Sequence, residues 1–334
     1  MVYQPDADRY TTMSYSPCGH SGIVLPRISL GLWHNFGADD NAETAEAILL
    51  KAFDKGVTCF DLANNYGPPP GSAETTLGRV LQNQLGAWRD EIIITTKAGH
   101  RMWEGPYGDG SSRKNLIASL DQSLKRLRLD YVDIFYSHRY DGVTPLEETL
   151  QTLVDVVKAG KALYVGLSKY PPELAEKAYA YLAERNTPCL LHQDRYNLLS
   201  RGVEKGVLEA AHRNGVGFTA FSPLAQGLLT NRYLEGVPAD SRAARNQFLK
   251  VEQLTPALLS ALRQLNDIAR QRGESLAQMA LSWVLHDKRV TSVIIGASSV
   301  NQLLDNLGAL NAAPFDQSTL EQLDAIVDTT TKNA

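Results

Sequence analysis

The sequence predicts an α/β protein, a (β/α)8 TIM barrel with an N-terminal β-hairpin and extra C-terminal helices. From residue 28 onward, short β-branched runs alternate with amphipathic helical stretches, which is typical of parallel strands joined by helices. Eight such runs occur, and none is followed by the GxGxxG pattern of a doubly wound dinucleotide fold. The 334 residues fit one barrel domain spanning 1–334, since such barrels take roughly 250 residues before insertions.

The eight predicted strands are short and are spaced by about one strand–helix unit. In chain order they are 28–32, 57–61, 92–97, 132–138, 162–168, 189–193, 216–222 and 290–296. Before them, the stretch MSYSPCGHSGIVLPRIS alternates weakly around Gly19 and Gly22, which predicts a short hairpin across one end of the barrel.

Amphipathic periodicity predicts the helices between these strands. In the first one, Asn41 is a suitable N-cap and Gly56 a suitable residue just after the C-terminus. Its apolar face consists of Ala45, Ile48, Leu49, Ala52 and Phe53. The long gap before strand eight holds a polar loop, 229–247, which we expect to be a functional insertion, and then helices near 256–272 and 275–286. A last amphipathic stretch covers 316–327.

Composition and charge exclude several classes of protein. The formal net charge is −4, whereas nucleic-acid-binding proteins normally present a basic face. Cys18, Cys59 and Cys189 lack CxxC spacing, so we expect free thiols, no metal and a reducing compartment, the cytoplasm. No run approaches the ~18 apolar residues of a membrane span, and the N-terminus lacks the apolar segment of a secretion signal.

Four chemically capable side chains lie at or just after the ends of three adjacent predicted strands. Asp61 ends strand two, Tyr66 follows it in the loop, Lys97 ends strand three and His138 ends strand four. Active sites of α/β barrels gather at the carboxyl ends of the strands, so we expect all four at one mouth. Each alone could be a cap, a loop aromatic or a core-rim histidine, but together they favour catalysis.

Acid–base chemistry gives these four side chains separate roles in carbonyl reduction. A carbonyl that accepts a hydride becomes an alkoxide and needs a proton, which a tyrosine with a pKa near ~10 holds at neutral pH. We expect the Lys97 ammonium to lower the pKa of Tyr66, and Asp61 to keep Lys97 charged. His138 can donate a hydrogen bond to the carbonyl oxygen.

Three segments resemble motifs of the aldo-keto reductase family. GVTCFDLANNYG resembles the family signature around the catalytic aspartate and tyrosine, ITTKAG its lysine strand, and YVDIFYSHR its histidine strand. The motifs occur in the family's order, and the likeness covers almost the whole chain. It implies an NAD(P)H-dependent oxidoreductase that uses NADPH (NADP+) with Tyr66 as general acid.

Further segments resemble one branch of that family. NNYGPPPGSAE, MWEGPYGDGSSRK, GKALYVGLS, RYNLLSR and SPLAQGLLTNRYLEGVPADSR are similar to the branch of L-glyceraldehyde 3-phosphate reductases, which is related to the β-subunits of voltage-gated potassium channels. The resemblance implies reduction of small aldehydes, L-glyceraldehyde 3-phosphate or methylglyoxal, and hence methylglyoxal detoxification. It also implies a homo-oligomer with no nucleic-acid or membrane partner.

The same resemblance implies a cofactor site along strands five to eight. Ser168 and Gln193 match positions that hydrogen-bond the nicotinamide carboxamide, Phe221 matches one that stacks on the ring, and 222–227 resembles a pyrophosphate loop. By position alone, these residues could also be strand-end caps or a core aromatic. The full predicted set is Trp33, Asp61, Ser168, Lys169, Gln193, Phe221, Ser222, Pro223, Leu224, Gln226, Gly227, Arg232, Arg242, Gly296, Ser298, Gln302, Asp305 and Asn306.

Within this set, the phosphate and adenosine contacts depart from the branch at one position. Arg232 and Arg242 match basic residues on cofactor phosphates, and 298–306 matches the adenosine end with its 2′-phosphate. The branch carries arginine directly after its GAS motif, whereas this chain has Ser299. Because a 2′-phosphate favours arginine or lysine, this departure predicts use of NADH beside NADPH. Lys169 is our candidate for the missing charge.

Aromatic residues after strands one and three predict a small substrate pocket. Its predicted members are Trp33, His34, Tyr66, Trp103 and His138, with Tyr107 as a further wall. The aromatic residues could equally belong to the core. A phosphate on the substrate would meet a basic residue, and Arg101, Arg113 and Arg139 remain equal candidates.

Two functions from other classes remain open. A cofactor-binding regulatory subunit would share the barrel, but the channel β-subunits carry asparagine where this chain has His138, so the complete set favours an enzyme. A barrel aldolase or isomerase would use Lys97 as a Schiff-base nucleophile. A lysine held charged by Asp61 is a poor nucleophile, and borohydride trapping that depended on Lys97 would be needed to support this alternative.

Overall fold

The computed structural model describes residues 3–238 and 249–331, and its centre is a closed barrel of eight parallel strands. Strands β1 (Tyr15–Pro17) and β2 (Val24–Pro26) form an antiparallel hairpin before it. The barrel strands are β3 (Ile28–Gly31), β4 (Cys59–Asp61), β5 (Ile93–Ala98), β6 (Val132–Ser137), β7 (Ala162–Ser168), β8 (Cys189–Arg195), β9 (Gly217–Phe221) and β10 (Ser292–Ile295). Each strand pairs with its neighbour in the chain, and β10 closes onto β3. The predicted fold class is confirmed.

The helices of the described residues surround the barrel and bury one apolar face each. They are α1 (Ala42–Asp54), α2 (Ser72–Val80), α3 (Arg113–Leu127), α4 (Leu146–Lys158), α5 (Pro172–Ala183), α6 (Val207–Arg213), α7 (Pro256–Gln271), α8 (Leu276–His286), α9 (Val300–Leu307) and α10 (Gln317–Thr331). Among the described residues, no helix is both long and apolar enough to cross a bilayer.

Helix α1 confirms its predicted caps and explains why the next strand is shorter than predicted. The Asn41 side chain accepts a backbone N–H of the first turn at 2.8 Å, and Gly56 follows the helix with a φ of 76°. Val57 was predicted to open the strand, but its N–H donates to the Ala52 carbonyl at 2.9 Å. Because this bond belongs to the helix end, β4 begins only at Cys59.

Strand β6 shows how side chains fill the barrel. All six of its residues are buried, as expected of a parallel strand covered on both faces. Alternate residues Ile134 and Tyr136 lie in one buried cluster with Cys59 of β4. Tyr136 takes so much space that β7 needs Gly166 beside it, since a Cβ there would lie 2.3 Å from Cε1 of the tyrosine ring.

The hairpin covers the end of the barrel where the strands begin. Cys18 and Leu25 of the hairpin region share a buried cluster with Leu190 at the start of β8, and Cys18 Sγ donates to the Leu190 carbonyl at 3.4 Å. The three cysteines are free and buried, and burial raises the pKa of Cys59 and of Cys189 to about 12. The thiols at this end are therefore protonated at neutral pH.

The connection from β9 to β10 contains the predicted insertion, of which 229–238 is described. It forms a short 3-10 turn, Asn231–Tyr233, in which Tyr233 is buried and Arg232 is exposed. Arg242, predicted to meet the cofactor, lies outside the described residues. The two predicted helices of this connection are confirmed as α7 and α8.

Candidate active site

The carboxyl ends of five consecutive strands, β4 to β8, deliver predicted site residues to one place. Residues of a strand alternate between its faces, so one residue near each strand end faces the barrel axis. These inward positions belong to Asp61, Lys97, His138, Ser168 and Gln193, and each of them is at most 5 % exposed. The structure therefore brings together the acid, base and imidazole that sequence reasoning selected.

Asp61 is the centre of a buried hydrogen-bond network. Lys97 Nζ lies 2.7 Å from its Oδ2 in an ion pair. The other oxygen, Oδ1, accepts from Thr95 Oγ1 at 2.8 Å and from Gln193 Nε2 at 2.9 Å. Both carboxylate oxygens are thus satisfied by protein groups, which offsets the cost of burying the charge.

The surroundings of Lys97 keep it a charged ammonium. Its Nζ also donates to the Leu62 carbonyl at 2.6 Å and lies 5.0 Å from the centre of the Tyr66 ring. Burial lowers the pKa of Lys97, but the attraction of Asp61 and the contact with Tyr66 outweigh burial, so the pKa is raised. An ammonium with a raised pKa lacks the free lone pair that a Schiff-base nucleophile needs.

Tyr66 lies in the turn after β4 and faces Lys97. The turn is fixed because the Tyr66 N–H donates to the Ala63 carbonyl and the Tyr66 carbonyl accepts the Gly71 N–H. The phenol is half-buried, and its ring lies 6.3 Å from that of Trp33. Burial raises the pKa of Tyr66 more than Lys97 lowers it. The expected net lowering is wrong for this site, and the phenol holds its proton at neutral pH.

His138 shares the mouth with Tyr66, and the two rings meet edge to face with their centres 6.1 Å apart. Burial lowers the pKa of His138 well below its ordinary value, and the charge of Lys97 lowers it further, so the imidazole is neutral. Its Nδ1 has no hydrogen-bond partner within 3–238 and 249–331. A buried ring nitrogen in this state can bond an incoming polar group.

Three of the predicted cofactor contacts lie together on the β7–β9 side of the mouth, namely Ser168, Lys169 and Phe221. The Ser168 hydroxyl is buried and has no partner among the described residues. Phe221 is half-buried, and Lys169 Nζ lies 5.6 Å from the centre of its ring. The Lys169 side chain then reaches toward β5, where its Nζ lies 3.3 Å from Nε2 of His100.

The loop after β9 contains several residues with a left-handed backbone. Ser222, Ala225 and Gln226 have φ of 51°, 47° and 60°, and Gly227 follows at 98°. Such conformations cost a non-glycine residue roughly 1–3 kcal/mol. The N–H groups of Ala225 and Gly227 donate within the loop, to the Ser222 and Leu224 carbonyls at 2.9 Å. Asn197 Nδ2 donates to the Ser222 carbonyl at 2.8 Å and fixes the loop from β8. The predicted members Pro223 and Leu224 lie between these residues.

The loop after β10 is held by the first turn of α9. Ser299 is the N-cap of this helix, and its Oγ accepts the Gln302 N–H at 3.1 Å. The N–H and Oγ of Ser298 both donate to Gln302 Oε1, at 2.7 Å and 3.0 Å. Gly296 is exposed, and no atom lies within 4 Å of the place a Cβ would take. A planar group can therefore approach the backbone of Gly296 without meeting a side chain.

Further along α9, two predicted adenosine contacts differ in their surroundings. Asp305 is exposed and accepts a hydrogen bond from Gln278 Nε2 at 3.1 Å. Asn306 is buried, and its Nδ2 has no partner in the described part of the chain. At the mouth, Asn35 Nδ2 donates to the Ala297 carbonyl at 3.1 Å and joins the loops after the adjacent strands β3 and β10.

Of the predicted substrate aromatics, those after β3 line the mouth. The rings of Trp33 and His34 lie 4.3 Å apart, and Trp33 is also beside the Tyr66 phenol. Trp103 is half-buried in the loop between β5 and α3. Tyr107 is 57 % exposed with Lys114 Nζ 5.4 Å from its ring centre, so it faces solvent and does not wall the pocket.

Sequence reasoning missed two residues of this site. Thr95 holds Asp61, and the signal for it was available: it precedes Lys97 by two positions on one strand and therefore shares its face. His100 lies with its ring centre 4.4 Å from that of His138. It stands in a loop, where alternation does not predict direction.

Comparison with known proteins agrees with this geometry. The profile of the Aldo/keto reductase family matches residues 27–328. An Escherichia coli (strain K12) protein named L-glyceraldehyde 3-phosphate reductase is 57% identical over 329 residues, which are 97% of this chain and 95% of that protein. An Oryza sativa subsp. japonica protein named probable voltage-gated potassium channel subunit beta is 36% identical over 328 residues, 96% of this chain and 98% of its own. The chain therefore belongs to the aldo/keto reductase family and is an oxidoreductase.

Proposed function

We propose that this enzyme reduces small aldehydes, among them L-glyceraldehyde 3-phosphate and methylglyoxal, to alcohols with NADPH. The observation that carries the proposal is the geometry of the mouth, where Lys97 Nζ lies 2.7 Å from Asp61 Oδ2 and 5.0 Å from the centre of the Tyr66 ring, and the His138 ring centre lies 6.1 Å from that of Tyr66. The pKa directions agree with it, since they keep Lys97 charged, His138 neutral and Tyr66 protonated. A carbonyl that receives a hydride needs this combination of a proton donor and a neutral hydrogen-bond donor. The name of the E. coli relative supports the phosphorylated substrate.

Buried polar atoms without partners support the fit of a nicotinamide cofactor. Among the described residues, Ser168 Oγ, Gln226 Oε1 and Asn306 Nδ2 are buried and make no hydrogen bond. Native folds leave few such atoms, and Ser168 and Asn306 belong to the proposed carboxamide and adenosine contacts. Gln226 Oε1 is an acceptor, so it can take a hydrogen bond from a cofactor hydroxyl but not from a phosphate oxygen. When bound, the reduced nicotinamide supplies a hydride to the carbonyl carbon. The remaining predicted contacts stay part of the proposal.

The phosphate end supports the use of NADH beside the proposed NADPH. Ser299 carries no charge and uses its hydroxyl to cap α9. A 2′-phosphate must then depend on other positive charge, for which Arg232 and Arg242 are the proposed sources.

The four mouth residues divide the proton chemistry between them. His138 donates a hydrogen bond to the carbonyl oxygen and stabilises the negative charge that develops there. Tyr66 transfers its phenolic proton to that oxygen, which yields the alcohol and leaves a phenolate. The Lys97 ammonium stabilises this phenolate, and Asp61 holds Lys97 in place through the 2.7 Å ion pair.

A regulatory subunit is the second candidate, because the rice relative is named as a probable channel subunit. The presence of His138 favours the enzyme, since its nitrogen is the group that would polarise the carbonyl. The free, buried thiols suit a reducing compartment, and we place the enzyme in the cytoplasm as a homo-oligomer.

The test follows NADPH absorbance with L-glyceraldehyde 3-phosphate, methylglyoxal and a plain aromatic aldehyde, and repeats each assay with NADH. We expect turnover with the two small aldehydes and a lower kcat/KM with NADH. A protein that binds NADPH but oxidises it with none of the three aldehydes contradicts the proposal and favours the regulatory subunit.

A further inference from the structure

His100 and Lys169 form a polar pair at the mouth that the four-residue mechanism does not use. His100 follows β5, Lys169 follows β7, and the Lys169 Nζ to His100 Nε2 distance is 3.3 Å. The His100 ring lies edge to face with that of His138, with centres 4.4 Å apart. The pair therefore adjoins the imidazole that would hold the substrate carbonyl.

The charges of the two side chains determine which one donates the hydrogen bond in this pair. Burial and nearby positive charges lower the pKa of His100 to about 4, so the ring is neutral and its Nε2 accepts from the Lys169 ammonium. Lys169 itself has a φ of 58°, a conformation that costs a non-glycine residue roughly 1–3 kcal/mol. Its N–H donates to the Gln193 carbonyl at 3.1 Å, which holds the strained residue in place.

Lys169 carries a positive charge that Asp194 attracts from a distance but that no carboxylate of the described residues meets in an ion pair. Among the described residues it makes no ion pair, and neither does Arg195, whose guanidinium lies 6.0 Å from the Phe221 ring that Lys169 also faces. Partial removal from water is the main cause that lowers the pKa of Lys169 to about 8, and Lys97 adds to it. A bound anion would favour the charged amine and so raise this pKa.

The other basic residues near the mouth are already paired. Arg101 forms an ion pair with Glu104, and Arg113 with Asp155 on the outer helices. Arg139 Nη2 lies 2.8 Å from Asp109 Oδ1, and its Nε donates to the Gly99 carbonyl at 2.9 Å. The three arginines named as candidates for a substrate phosphate are therefore less available than Lys169.

We propose that Lys169, oriented by His100 and assisted by Arg195, is an anion subsite that binds the phosphate of a short phosphorylated aldehyde. This inference rests on the proposed function and deepens it. In a three-carbon phosphate ester only a few bonds separate the aldehyde from the phosphate, so a carbonyl at His138 places the phosphate beside the neighbouring His100–Lys169 pair. On this assignment Lys169 binds the substrate, which replaces the expectation that Lys169 contacts the cofactor and supplies charge to the 2′-phosphate.

The test compares L-glyceraldehyde 3-phosphate with L-glyceraldehyde in wild type, Lys169→Met and His100→Gln. Loss of a charged hydrogen bond to phosphate is worth roughly a 10- to 100-fold change. We expect the ratio of kcat/KM values, phosphorylated over unphosphorylated, to fall by that factor in Lys169→Met, mainly through KM, and by less in His100→Gln. Lys158→Met is the control, since it removes an exposed charge at the last residue of α4, at the closed end of the barrel.

Two further measurements separate this inference from its rivals. The Kd of NADPH is measured for each variant by fluorescence: a rise that matches the loss, with both aldehydes affected alike, assigns Lys169 to the cofactor and overturns the inference. Inorganic phosphate is titrated against the NADPH complex by calorimetry, and binding that weakens in Lys169→Met supports the subsite even if wild type reduces no aldehyde. Equal phosphate binding by wild type and Lys169→Met overturns it, whatever the activity.

Discussion

Lys97 Nζ and Asp61 Oδ2 are 2.7 Å apart, and both side chains are almost completely removed from solvent. Two opposite charges in such a place stabilise one another, but either charge alone would destabilise the folded state. Removal of one partner of a buried ion pair typically costs about 3–5 kcal/mol of stability. The pair that keeps Lys97 charged, as the proposed mechanism needs, is therefore also a structural element of the barrel.

Asp61→Asn should lower the free energy of unfolding by about 3–5 kcal/mol, because Lys97 loses its counter-ion in a buried place. Thr95→Val is the matched control, since it removes one hydrogen bond to the same carboxylate but leaves both charges in place, and it should cost about 1.5–3 kcal/mol. Denaturant unfolding followed by circular dichroism measures both. Equal losses for the two variants would show that the charge of Lys97 is compensated elsewhere.

Tyr66→Phe should lower kcat by about 10²- to 10⁴-fold, because the variant lacks the proton donor. The ring remains, so the binding of NADPH is expected to persist. Tyr181→Phe is the control: it removes the hydroxyl that donates to Gln151 Oε1 at 3.1 Å on the outer helices. Single-turnover assays with a small aldehyde provide the measurement, and full activity of Tyr66→Phe contradicts the assignment.

His138→Asn should lower kcat by about 10²- to 10³-fold while NADPH binding is kept, because one donor to the carbonyl oxygen is displaced. Wild type should show no change in kcat from this group near neutral pH. The reason is the direction of its pKa, which is lowered, so the imidazole is protonated only in acid. A pH profile with a step at the ordinary histidine pKa that disappears in His138→Asn would be incompatible with a neutral ring.

The kcat/KM for a phosphorylated aldehyde should fall as the pH rises through about 8, the pKa of Lys169. Below that pH the amine is charged and attracts the phosphate, and above it the attraction is lost. The groups that act on Lys169 are the cations Lys97, Arg139 and Arg195, the carboxylate Asp194 and the neutral His100. L-glyceraldehyde should lack this step, and so should Lys169→Met with either aldehyde.

Ser299→Arg should raise the preference for NADPH over NADH by about tenfold, because a guanidinium can pair with the 2′-phosphate. The substitution also removes the N-cap of α9, which costs about 1 kcal/mol. Ser299→Ala removes the cap without adding charge and serves as the control. Ratios of kcat/KM with the two cofactors decide the outcome, and an equal ratio in both variants would place the 2′-phosphate elsewhere.

Sequence alone predicted the barrel, all eight of its strands and the convergence of Asp61, Lys97 and His138. These predictions depend on periodicity and on the rule that strand ends share one mouth, and neither requires knowledge of tertiary contacts. The start of β4 was wrong by two residues because Val57 is bonded to the end of α1. A helix-terminal bond of this kind leaves no trace in the alternation of apolar residues.

Quantities that depend on three-dimensional surroundings could not be predicted in the same way. The pKa of Tyr66 depends on the balance between burial and Lys97, and only the structure gives the extent of burial. The place of His100 depends on the path of a loop, which sequence patterns do not determine. Tyr107 was expected in the pocket, but its loop turns it toward solvent.

The hydrogen bond from Gln193 to Asp61 joins β8 to β4, strands that lie on opposite sides of an eight-membered ring. This bond thus spans the diameter of the barrel, and Asp61, Lys97 and Gln193 form a layer whose position is set by the strands, whereas Tyr66 depends on the turn after β4. Loop replacement could then redirect substrate choice while this layer stays unchanged. For the design of new reductases from this scaffold, substitutions are best placed in the loops around the mouth other than the turn that carries Tyr66. Asp61, Lys97 and Gln193 are best kept constant.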